Sequence, residues 1–131
     1  MDKAPPPFDW VSARNACTTR SVFESLKVGA SEDVTVINSL RGKALFAIAP
    51  DSSEDLFSVV SLEGSSQRTV NFSMADTEIA IKTSSGSSFR VTLMLNNDGE
   101  CKVRVKGRDE DLEQWQVLRI ALEDLFFGSP S

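Results

Sequence analysis

The chain has 131 residues, 40% of them hydrophobic and 25% charged, with a formal net charge of −5 and no histidine. That length supports one domain whose core needs neither a disulfide framework nor a metal, and the composition excludes wholesale disorder. The missing histidine removes the commonest neutral-pH general base and zinc ligand, and the net negative charge disfavours nucleic acid as a partner of the whole surface.

The charge is unevenly placed. Residues 82 to 108 carry six Lys/Arg against two acids, whereas residues 109 to 127 carry six acids and only Arg119.

Taken in chain order, residues 1–7 read as a disordered Pro-rich tail and residues 8–128 as a single α+β domain. No apolar run follows Lys3, so the start resembles neither a signal peptide nor a membrane span, and a cytoplasmic location is the default expectation. Cys17 and Cys101 are too few for a disulfide framework, and in that compartment they are expected as reduced core thiols.

Asp9 is placed to cap a helix from Trp10 to Cys17. Ser21 and Glu24 have the spacing of a capping box, which predicts a second helix through Val22, Phe23 and Leu26 that Gly29 stops, with a break near Thr18 and Thr19. Ser31, Glu32 and Asp33 then open a third helical piece carrying Val34, Ile37 and Leu40 and ending at Gly42. The β-branched run Val34 to Ile37 leaves a strand as the alternative over residues 31–42.

From Ala44 the period changes to two. Six strands are predicted near 44–49, 56–62, 68–74, 77–83, 88–96 and 100–107, and their short connections require an antiparallel meander. Val70, Phe72, Met74, Ile79, Ile81, Phe89, Val91, Leu93, Leu95, Cys101, Val103 and Val105 share the inward phase. Parity fixes the last turn. A two-residue Asp98-Gly99 turn would mix inner with outer residues, whereas a three-residue loop, Asn97-Asp98-Gly99, pairs Leu95 with Cys101, Leu93 with Val103 and Val91 with Val105. Gly99 then takes the left-handed position.

The segment DEDLEQWQVLRIALEDLFFG reads as a long amphipathic helix with Asp109 as N-cap and Gly128 at the glycine position past its end. Its apolar face, formed by Trp115, Val117, Leu118, Ala121, Leu122, Leu125 and Phe126, is expected to cover the inner face of the sheet, giving an α+β fold with a six-stranded antiparallel meander, N-terminal helices and a C-terminal helix. Ile120 and Phe127 fall off that face, among acids and glutamine, and are candidate interaction residues.

On the outer face the same register sets Arg90 opposite Lys106, Thr92 opposite Arg104 and Met94 opposite Lys102, with Arg108 beyond. Arg90, Lys102, Arg104, Lys106 and Arg108 are therefore a candidate anion-binding face, weighed against a solvated face neutralised by Asp109, Glu110 and Asp111. No aromatic residue interleaves with these bases, which disfavours RNA.

No nucleotide, hydrolase or metal motif occurs, and without histidine a conventional serine triad is excluded. The clusters Asp51, Glu54, Asp55 and Asp109, Glu110, Asp111 lack EF-hand spacing. The expectation is a non-enzymatic protein-interaction module, of adaptor, regulator or chaperone-like kind, that binds another protein or self-associates, with no cofactor. Its alternative is a binder of a small hydrophobic or lipid ligand between the sheet and the C-terminal helix.

Overall fold

The structure, a computed structural model, describes residues 9–49, 53–63 and 68–128. The expected tail at 1–7 lies outside them, as do Asp51 and Pro130.

Helix α1 (Trp10–Ala16) is capped as expected, the Asp9 carboxylate accepting from the Ser12 backbone N–H at 3.0 Å. It ends at Cys17. Thr18 then caps α2 (Thr19–Arg41), its hydroxyl accepting from the Ser21 N–H, so the break falls where the helical phase changes but Ser21 is not the cap.

The second and third predicted helices are one helix of 23 residues. Gly29 does not stop it. Phe23, Leu26, Ala30, Val34 and Ile37 recur at intervals of three and four and are all buried. Burial of such side chains contributes about 1.5 to 3 kcal/mol for each large one, which outweighs the roughly 1 kcal/mol cost of an internal glycine. Gly42, at φ 76°, is the left-handed residue that ends the helix.

The sheet follows as β1 (Phe46–Ile48), β2 (Leu56–Ser61), β3 (Thr69–Met74), β4 (Ile79–Lys82), β5 (Ser88–Leu95) and β6 (Cys101–Val105), an open antiparallel meander in sequence order. The last hairpin has the register that parity requires: Leu95 faces Cys101, Leu93 faces Val103 and Val91 faces Val105, with Gly99 at φ 79°.

The chain after β6 departs from expectation. Residues 109–112 do not begin a helix; Leu112 exchanges both backbone hydrogen bonds with Val103 and tucks its side chain into the core. Helix α3 (Gln114–Phe127) starts afterwards, with Glu113 and Gln116 forming the reciprocal capping box. Three acids at 109–111 suit a helix start electrostatically, but burying Leu112 against the end strand satisfies two backbone pairs as well as an apolar side chain. Gly128 ends α3 in an extended conformation, not a left-handed one.

Both long helices cover one face of the sheet. Phe57 stacks on Phe72 at 4.4 Å and meets Phe23 of α2 at 5.2 Å, so large side chains fill the centre of the layer between sheet and helices. Val117, Leu118, Ala121, Leu122, Leu125 and Phe126 are the buried residues of α3. Trp115, expected on the same face, is 61% exposed.

The expected free thiols form a disulfide. Cys17 and Cys101 lie with Cα atoms 5.4 Å apart and are bonded. In the sequence each is a core thiol with no partner in view. The fold brings the α1–α2 junction against the start of β6, and only that long-range contact makes them a pair.

Candidate interaction groove

Helices α2 and α3 lie side by side in the same sense: Gly29 meets Leu118 near one end, and Arg41 meets Phe126 and Phe127 near the other. The helices approach closely because residue 29 has no side chain; a Cβ there would sit 2.7 Å from Leu118 Cδ1.

Between them runs a groove whose lining residues all belong to these two helices. One part, of 340 Å³, lies over Ile37, Leu122 and Phe126 and is edged by Val36, Leu40 and Phe127. The next part, of 530 Å³, is edged by Val28 and Trp115. Asp33 and Leu118 line both parts, so the two form one continuous surface. Of the ten large hydrophobic residues exposed among the described residues, five stand along it: Val28, Val36, Leu40, Trp115 and Phe127. Half of these exposed residues are thus gathered along one surface.

The end near Phe127 is held in place by arginines from other elements. Arg41 donates to the Phe126 carbonyl at 3.1 Å and stands 5.6 Å over the Phe127 ring, while Arg68 donates to the Leu125 carbonyl at 3.3 Å. Helix α3 has no base in its own last turn, and these two cations serve its negative end. In the middle of the groove, partial burial raises the Asp33 carboxyl above the usual carboxylate value, and the neighbouring Glu32 adds to the shift.

The two candidate interaction residues part company. Phe127 belongs to the groove, whereas Ile120, 42% exposed, lines a separate depression with Phe89, Val105 and Arg108 beside the β4–β5 turn. Helical phase placed both away from the sheet but carried no information about α2, which passes on one side of α3 only.

The candidate anion-binding face has the expected register but is occupied by the protein's own acids. Lys102 donates to Glu113, a bond that raises its pKa above the usual lysine value. Arg104 donates to Asp111 at 2.6 Å. Glu78, next to the start of β4 and unmarked by any local pattern, lies 3.6 Å from Arg90 and 3.5 Å from Lys106. Arg108 stands apart, exposed at the depression near Ile120. Four of the five cations therefore have intramolecular counter-charges, and an added anion would have to displace them.

Among the described residues no group of three or more Cys, Asp and Glu is placed to hold a metal, and no helix is long and apolar enough to cross a membrane. Glu54 and Asp55 instead bind Arg20, through a backbone carbonyl at 2.7 Å and a carboxylate at 2.7 Å.

No family model matches the chain, and comparison with curated proteins and with solved structures likewise finds no match.

Proposed function

We propose that the protein is a non-enzymatic interaction module whose working surface is the groove between α2 and α3. The observation that carries this reading is the alignment of the exposed apolar residues Val28, Val36, Leu40, Trp115 and Phe127 along one continuous groove. A structural role requires the opposite faces of these helices, which are already buried against the sheet. Residues on the groove side remain in water at a cost in free energy that a bound protein would remove.

The groove lies outside the helix layer and has no sheet residue in its walls. A ligand held between sheet and α3, the alternative expected from sequence, would instead have to displace Val117, Ala121 and Leu125, which α3 already buries in the core.

Leu40→Glu and Phe127→Glu test the assignment, because both side chains are largely exposed and their loss leaves the core intact. Quantitative pull-downs from the native cell are expected to show defined proteins retained by the wild type and lost with both variants. Identical retention profiles from wild type and variants, at equal thermal stability, would defeat the reading.

A further inference from the structure

Resting on the groove as a docking surface, we infer that its occupant is a basic amphipathic helix of another protein, with cationic residues flanking an apolar stripe of three to four turns. Charge selects the sign. The charged residues lining the two parts of the groove are Glu24, Glu32, Asp33 and Glu123 against Arg119 alone. Arg119 is already engaged by Glu123 at 3.4 Å, and Glu24 by Arg20 at 3.8 Å. Glu32 and Asp33 have no ion-pair partner among the described residues, and Asp33 stands where the two parts meet. A lysine or arginine arriving beside them supplies the missing counter-charge and restores to the Asp33 carboxylate the interactions that partial burial removes.

The same charges argue against a second copy. A two-fold contact sets a patch against itself, so the acidic rim would meet an acidic rim in a chain of net charge −5. An anionic lipid surface meets the same repulsion.

Backbone chemistry selects the helix. Walls formed by two helices, whose backbone groups bond within each helix, offer no row of free N–H and C=O groups, so an extended peptide would bury backbone groups without partners, whereas a helix satisfies its own. From Val28 to Leu40 the channel extends about 18 Å at 1.5 Å per residue, the length of roughly three turns.

A displayed library of 18-residue amphipathic helices, varied at the stripe and at the flanking positions, tests this against the full oxidised chain. Selected sequences are expected to carry Lys or Arg beside the stripe, to lose at least about tenfold in affinity for Asp33→Lys, and to regain it when their flanking bases are changed to Glu. Asp33→Asn gives a milder loss, and circular dichroism with thermal melting confirms that each variant is folded. Acidic or neutral isolates that need Leu40 but ignore Asp33 would overturn the basic partner while leaving the groove in use. Absence of any isolate sensitive to Leu40→Glu would remove the docking surface itself. A concentration-dependent dimer broken by Leu40→Glu would identify the occupant as a second copy and overturn the inference.

Discussion

Asn38 joins α2 to the sheet through one side chain. Its Oδ1 accepts from the Leu45 and Phe46 N–H groups at 2.9 and 3.1 Å, and its Nδ2 donates to the Phe46 carbonyl at 2.9 Å. It thereby holds the connection that turns the chain from Gly42 into β1. Removing it leaves two donors and an acceptor to find water in a partly buried corner. Asn38→Ala is therefore expected to cost about 2 to 3 kcal/mol in urea unfolding, and Asn38→Asp, which keeps the acceptor but sets a carboxylate oxygen against the Phe46 carbonyl, at least about as much. Equal stability of all three proteins would show that the corner is solvated. Asp33 has the opposite character. Its raised carboxyl means that the folded chain holds this proton more readily than the unfolded one. The associated stability is fully present below the ordinary value of 3.8 and is lost as pH rises through the folded value. Asn in its place removes that loss, so the melting temperature of Asp33→Asn relative to wild type is expected to be higher at neutral pH than at a pH below 3.8. A difference that does not change with pH would mean that Asp33 is as well solvated in the fold as in the unfolded chain.

At the scale of elements, the contact between α2 and α3 is set by Gly29, and two opposing effects decide what a substitution does there. Alanine gains helix propensity worth roughly 1 kcal/mol over glycine, but its Cβ presses on Leu118 Cδ1 at 2.7 Å, the movable end of a side chain. Gly29→Ala is expected to lie within about 1 kcal/mol of wild type in denaturant unfolding, whereas Gly29→Val, β-branched and bulkier at the same contact, should lose about 2 kcal/mol. A valine variant as stable as wild type would show that the helices are free to part. This contact also marks the limit of what sequence reveals. Strands were legible because alternation is local: Phe72, Ile81 and Val91 announce an inner face, and parity alone excluded the two-residue turn at Gly99. Gly29 looked like a stop signal because its role depends on Leu118, far away in sequence. Asp109 looked like a cap because nothing local reveals that Leu112 bonds back to Val103. Phe127 is set aside by phase, but Leu40 reads as an ordinary member of the stripe with Val34 and Ile37, and nothing local singles out Val28 or Val36 until α2 and α3 lie together. The groove is a property of the pair.

Across the whole molecule, the Cys17–Cys101 bond closes a loop of 84 positions that contains α2 and most of the sheet. In the chain-entropy account, a cross-link over that separation stabilises the fold by about 4 to 5 kcal/mol, by restricting the unfolded chain. That is large beside a typical domain stability of roughly 5 to 15 kcal/mol. Such bonds persist in oxidising surroundings, whereas the expectation of reduced thiols rested on a default cytoplasmic location. The bond also has a local effect on α1. This helix has seven residues, none of them buried, and its packing on β6 adjoins the disulfide. Its interior contacts are too few to hold it once the link is gone. The paired substitution Cys17→Ser with Cys101→Ser is expected to lower unfolding free energy by about 4 kcal/mol. It should raise amide exchange across Trp10–Ala16 more than across Thr69–Met74, whose protection comes from the core. Titration of the denatured, unreduced wild type should find no free thiol. Two free thiols, or exchange that rises uniformly along the chain, would show that α1 is secured by its packing instead of by the bond.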